Sequence, residues 1–153
     1  MALNYLGRCM SNMTKTMKIT SFGYERAGGK DGGGIVLAVP EADIVLDVRR
    51  ILPSSDDPAL RGLTGLDEAV YEQVLASSVA RSVAVQIAVG AHMLLDDTDV
   101  PRLTIAVGCS GGRRRAVVIA RHIGTRLAEL NAGAAYELAV EHRDLATGSS
   151  KEE

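Results

Sequence analysis

The residues best placed to do chemistry form one run, Gly108-Cys109-Ser110-Gly111-Gly112-Arg113-Arg114-Arg115, between the apolar stretch Leu103 to Val107 and an amphipathic one. Strand, glycine turn and helix, in that order, make an anion site. Gly111 and Gly112 let the backbone turn tightly and approach a ligand, and the helix start beyond Gly108 to Gly112 offers unpaired N–H groups and about half a positive charge. Ser110 adds a hydroxyl donor, and Arg113, Arg114 and Arg115 supply forked donors matched to phosphate or carboxylate oxygens. Cations at a helix N-terminus stand against its dipole, at a cost of about 0.3–1 kcal/mol each, so three together make sense when an anion joins them.

Cys109-x-x-Gly112-x-x-Arg115 is also the spacing of cysteine-dependent phosphatases, in which a thiolate attacks phosphorus while loop amides and the Arg hold the oxygens. On that alternative Cys109 is the nucleophile and Arg115 its charge partner. Gly108 and Ala116 stand where those enzymes carry a His and a hydroxyl residue, and Asp56 or Asp57 would have to protonate the leaving group. The glycine-rich stretch from Ala27 to Gly34 lacks the hydroxyl residue of a Walker A loop after Lys30, where Asp31 stands, and reads as a flexible connection. His92 and His122 fall on predicted helices as ordinary boundary residues, whereas His142 with Arg143 closes the last strand. No His/Cys cluster has metal-ligand spacing, and no metal or cofactor is expected.

The elements around this turn follow from periodicity. Lys18 to Tyr24 alternates as a strand, and Ile44 to Val48 is a compact β-branched run bounded by Pro40 and Pro53, with Asp47 and Arg49 near its end. Thr64 with Asp67 resembles a capping box, opening a long helical stretch. Val70, Tyr71, Val74, Leu75, Val79, Val83, Ile87, Ala91 and Leu94 keep helical steps there, and Ser77, Ser78 and Gly90 suggest a break into two helices. Leu103 to Val107 is the strand before the turn. Ala116, Ile119, Ile123, Leu127 and Leu130 mark the helix after it, stopped by Asn131 and Gly133, and Ala135 to Val140 alternates as a last strand. Strands alternating with helices predict an α/β fold: a single three-layer domain with a mainly parallel sheet of about four strands flanked by helices, binding ligands beyond the carboxyl ends of the strands. Residues 1–16 read as an irregular leader, 17–146 as the domain and 147–153 as a polar tail.

Composition limits what this domain can be. A chain of 153 residues suits one domain; with four Tyr, one Phe and no Trp its core must be built from Val, Ile, Leu and Ala. The net charge of −2 gives no global field toward nucleic acid or an acidic membrane, so any polyanion must be held by the local patch at Arg113 to Arg115. Cys9 and Cys109 sit in unlike contexts and read as free thiols of a reducing compartment. With neither an apolar signal core nor a stretch of about 18 apolar residues, the expected location is the cytoplasm.

Five blocks taken together, Ile19-Thr20-Ser21-Phe22-Gly23-Tyr24, Asp47-Val48-Arg49, Leu63-Thr64-Gly65-Leu66-Asp67, Gly108 to Gly112 with Arg115, and His142-Arg143-Asp144-Leu145, resemble the C-terminal domain of the RapZ family of RNase adapter proteins. The resemblance runs from about Lys18 to Leu145, in the family's order, and excludes the family's N-terminal P-loop domain. It implies a non-catalytic regulatory domain that binds a phosphorylated metabolite, the amino-sugar phosphate glucosamine 6-phosphate, and in enteric members small regulatory RNAs presented to an endoribonuclease. It places the ligand at Cys109 to Arg115, with support from Asp47, Arg49, Thr64, His142 and Arg143. The partners it implies are a phosphorylated small molecule and RNA, with no membrane, and it leaves a homo-oligomer open.

Overall fold

The computed structural model describes residues 13–26, 35–36 and 38–145. Its elements run β1 (Lys15–Gly23), β2 (Glu25–Arg26), β3 (Ile35–Val36), β4 (Ile44–Asp47), a short 3₁₀ turn (Pro58–Leu60), α1 (Glu68–Leu75), α2 (Ser78–Asp97), β5 (Arg102–Cys109), α3 (Arg115–Leu130) and β6 (Tyr136–His142). β4, β5, β1 and β6 form one sheet in that order, every pair parallel, while β2 and β3 make a separate antiparallel pair. The α/β class and the four-stranded parallel sheet are as the alternation of elements predicts. β1 starts at Lys15, so residues 15 and 16, assigned to the leader on sequence, belong to the strand. Residues 1–12, the glycine-rich stretch 27–34 and the tail 147–153 lie outside the described residues.

Register explains why these residues make a sheet. Ile44, Ile105, Ile19 and Val140 align across the four strands, and one layer on, Leu46, Val107, Ser21 and His142 do the same. The first row supplies branched apolar side chains to the helix-covered face; the second joins polar groups, with Ser21 Oγ 2.8 Å from His142 Nδ1. The opposite face carries Lys18, Thr20, Thr104 and Glu141 and is crossed by the connection 38–43. That division is why β1 alternates instead of reading as an unbroken apolar run.

α3 lies across β1, β5 and β6, and α2 packs on α3 and β5. Gly124 brings α3 down onto the sheet: a Cβ there would stand 2.8 Å from Val140 Cγ2. The long helical stretch does divide at Ser77, whose hydroxyl accepts from Ala80 N–H at 3.2 Å, but Gly90 causes no break. The inward face also differs from the predicted one. Ala80, Ala84, Ala88, Ala91 and Leu95 are buried, whereas Val79 is 50% and Leu94 47% exposed. The alanine stripe wins because small side chains let two helices pack closely, a gain that counting large apolar residues overlooks. α2 is long and apolar enough by length and composition to cross a membrane; in this fold its alanine face joins the core of the domain.

Candidate functional site

The chain leaves β1 toward β4 at one edge of the sheet and leaves β5 toward β6 on the other side of β1. Connections that diverge from neighbouring strands open a crevice at their carboxyl ends, where α/β sheets bind ligands. The turn after β5 sits there. Gly112 has φ +69°, and its α-carbon passes so close to Gly23 that a Cβ would strike the Gly23 nitrogen. A Cβ on Gly23 would in turn lie 2.6 Å from Gly111 C, so both glycines are needed for the turn to cross the end of β1. The crossing is tied down by Tyr24 N–H donating to Cys109 O and Glu25 N–H to Ser110 O, each at 2.9 Å. On the far side, Gly65 N–H donates to Arg113 O at 2.8 Å, docking the loop before α1 onto the turn.

α3 begins at Arg115, and its N-cap residue Arg114 makes no side-chain capping bond, so the positive end of a 16-residue helix has no capping side chain. Next to it is a cavity of about 430 Å³ whose walls include Cys109, Ser110, Gly111, Arg113, Arg114 and Arg115 from the turn, Pro53, Ser54 and Ser55 after β4, Arg61, Gly62 and Leu63 before α1, and Gln73 of α1. Four of these residues are arginines and none is an acid. Arg115 Nη1 donates to Leu52 O at 2.6 Å, so this arginine braces the loop after β4. Arg114 Nη1 reaches Ser55 O at 3.4 Å, and Arg113 Nη1 is buried with no partner. Cys109, buried in the same wall, accepts from Gly112 N–H at 3.2 Å through Sγ.

The other residues singled out on sequence lie elsewhere. Asp47 and Arg49 form a forked ion pair, with Arg49 Nη2 2.7 Å from Asp47 Oδ2, and the Arg49 guanidinium lies 3.7 Å over the Tyr24 ring. Hydrogen bonds from Arg49 hold the Asp47 carboxyl below its usual range, while burial, and then Asp47, raise Tyr24. Tyr24 packs on Phe22, and Arg143 stacks over Phe22 at 5.3 Å while pairing with Asp144 at 3.0 Å. Asp144 Oδ2 accepts from Gly23 N–H at 2.7 Å, so Arg143 and Asp144 support the strand under the turn. His142 spends Nδ1 on Ser21, and burial, then Arg121, lower its pKa. Thr64 shapes the loop before α1: its N–H donates to Asp67 Oδ2 at 2.7 Å, one half of a capping box, although the helix starts only at Glu68. Asp47, Arg49, Thr64, His142 and Arg143 thus flank the turn without lining the cavity, and Gly108 and Gly112 shape it through their backbone.

Pro53, Ser54, Ser55, Arg61, Gly62, Leu63 and Gln73 line the cavity without having been among the residues expected there. Gly62, at φ +77°, was the available signal, since a left-handed position in a loop marks a turn that the chain must make. Among the described residues, no group of three or more His, Cys, Asp or Glu side chains is placed to hold a metal ion.

Comparison with known proteins agrees with the blocks that carry the resemblance. The RapZ C-terminal domain matches over residues 15–146. A protein of Rubrobacter xylanophilus named nucleotide-binding protein is 36% identical over 141 residues, covering 87% of this chain and 41% of its own length. One of the same name from Moorella thermoacetica is 37% identical over 142 residues, 88% of this chain and 43% of that protein, and one from Carboxydothermus hydrogenoformans is 32% identical over 146 residues, 94% and 46%. This chain spans less than half the length of these relatives. Through that match, covering the strands, the turn and the helix described above, the chain belongs to the RapZ C-terminal domain family.

Proposed function

We propose that this chain is a cytoplasmic regulatory domain that binds a phosphorylated metabolite, of the amino-sugar phosphate class such as glucosamine 6-phosphate, without turning it over. The observation that carries the reading is the uncapped start of α3 beside a cavity with four arginines and no acid. An anion there supplies acceptors for the helix N–H groups and for the orphan Arg113 Nη1 together. The relatives' name, nucleotide-binding protein, is consistent with a phosphorylated ligand, which makes nucleotides a necessary comparison. Isothermal titration with glucosamine 6-phosphate, a nucleoside monophosphate, inorganic phosphate and sulfate tests it. Heat from the phosphosugar, with no product released on long incubation, is expected; no heat from any of the four at millimolar concentration rejects it.

One observation favours a second reading, the Cys-dependent phosphatase. The Gly112 N–H directed at Cys109 Sγ is the kind of donor that stabilises a thiolate. Against it, the Arg115 guanidinium is engaged by Leu52 O. Hydrolysis of an aryl phosphate that disappears in Cys109→Ser supports the phosphatase, and activity equal in both proteins removes it.

A further inference from the structure

The cavity beside the turn holds more positive charge than one phosphate group can use. Arg113, Arg114 and Arg115 reach it from the turn and Arg61 from the loop before α1, with no acid among the lining residues. A phosphate monoester carries a charge of about −1.5 to −2 on three terminal oxygens. The free N–H groups at the start of α3, the Ser110 hydroxyl and the buried Arg113 Nη1 supply donors enough for those three oxygens. Arg61 is then left over. It is exposed, and among the described residues its guanidinium has no ion pair or hydrogen bond and the neighbouring Gly62 N–H has no acceptor. Gln73 of α1 adds an uncharged amide to the same cavity, whose volume of about 430 Å³ is that of a small-molecule pocket and exceeds what a single phosphate group fills.

We propose that the ligand carries two separated anionic groups, a phosphate seated on the turn and the start of α3, and a second phosphate or a carboxylate held by Arg61 and the Gly62 N–H. Resting on the phosphorylated-metabolite reading of the same cavity, this extends the ligand from one charged group to two. Charge favours the second group: one dianion leaves about two of the four guanidinium charges unbalanced around a partly enclosed space, where like charges repel more strongly than in water. The planar fork of Arg61 pairs equally well with phosphate or carboxylate oxygens. Gln73 supplies a donor and an acceptor suited to the hydroxyls of the skeleton that joins the two groups.

Titration calorimetry on the full chain compares glucosamine 6-phosphate and glucose 6-phosphate, each with one anionic group, against glucose 1,6-bisphosphate and 6-phosphogluconate, each with two. At least one doubly anionic ligand is expected to bind about tenfold or more tighter than glucose 6-phosphate, the worth of a hydrogen bond to a charged group, and whichever does identifies the second group as phosphate or carboxylate. Arg61→Gln should remove that advantage and leave glucose 6-phosphate binding as it was. Arg50→Gln, at an exposed arginine outside the cavity wall, should change neither. Equal affinities for the singly and doubly anionic ligands overturn the proposal and leave the phosphate reading standing, whereas no heat from any of the four removes both. An advantage lost equally in Arg50→Gln, the mark of a general field, overturns it. So does an Arg61→Gln variant that weakens glucose 6-phosphate as much as the doubly anionic ligand, which would put Arg61 on the first phosphate.

Discussion

At the scale of single residues, the three arginines of the turn divide between two tasks. Arg115 holds Leu52 O and Arg114 reaches Ser55 O, so both brace the loop after β4, whereas Arg113 has a buried nitrogen with no protein acceptor. A buried donor left unpaired costs about 1–3 kcal/mol, so removing it should spare the fold. Arg113→Ala is therefore expected to weaken phosphate-ester binding by about tenfold or more, the worth of a hydrogen bond to a charged group, while the urea midpoint stays level or rises. Titration calorimetry and urea unfolding on one preparation separate these effects; a lower midpoint with unchanged binding would make Arg113 structural. Gly112→Ala should behave oppositely. Its φ of +69° and its approach to Gly23 leave no room for a methyl group, and a loss of about 2 kcal/mol or more is expected in the same urea assay, since a left-handed backbone alone costs a non-glycine residue about 1–2 kcal/mol.

At the scale of elements, what could be read in advance depended on whether the signal was local. Strand, glycine turn and helix over 103–130 is legible because every part of it is written in consecutive residues, from Leu103 through Gly111 and Gly112 to the face of α3. The partners of the turn are not. That Leu52 O takes Arg115, or that Gly65 docks on Arg113, depends on how α1 and the loop after β4 are brought back by the fold, and no spacing in the chain encodes it. The face of α2 was misplaced for a related reason: its alanines are inward because α3 lies close to them, a fact about the pair of helices. The alanine contact can be tested directly. Ala84, fully buried, has no room for three more carbons, so Ala84→Leu should cost about 1–3 kcal/mol of stability by urea unfolding, the usual penalty for overpacking a filled core. An unchanged midpoint would mean that the helices are not in close contact there.

At the scale of the whole molecule, two of the three histidines have their pKa lowered by the fold, and together they set how stability responds to pH. His122 lies between α1 and α3 with Nδ1 3.0 Å from the Tyr71 hydroxyl and Nε2 buried without a partner. A doubly protonated ring would present an N–H at Nε2 with nothing to accept it, and Arg126 and Arg81 oppose its charge more than Glu129 favours it. Burial, first, and these arginines lower its pKa from the ordinary 6.5. His142, half-buried beside Ser21 with Arg121 nearby, shifts the same way. As pH falls through 6.5 the unfolded chain takes up both protons and the folded chain resists, so stability is complete above that value and declines below it, by at most about 1.4 kcal/mol per pH unit for each histidine. Asp43, held down by the N–H and hydroxyl of Thr104, and Asp47, held down by Arg49, lose their contribution only later, as pH falls below the ordinary carboxylate value of 3.8. Urea midpoints measured from pH 8 to pH 5 should therefore be flat down to about 7 and then fall, since the decline begins where the unfolded imidazoles start to titrate. His122→Asn, which cannot take up a proton, should make that fall shallower. A profile flat to pH 5, or a slope unaltered in His122→Asn, would mean that the ring is charged in the folded state and that an acceptor reaches Nε2.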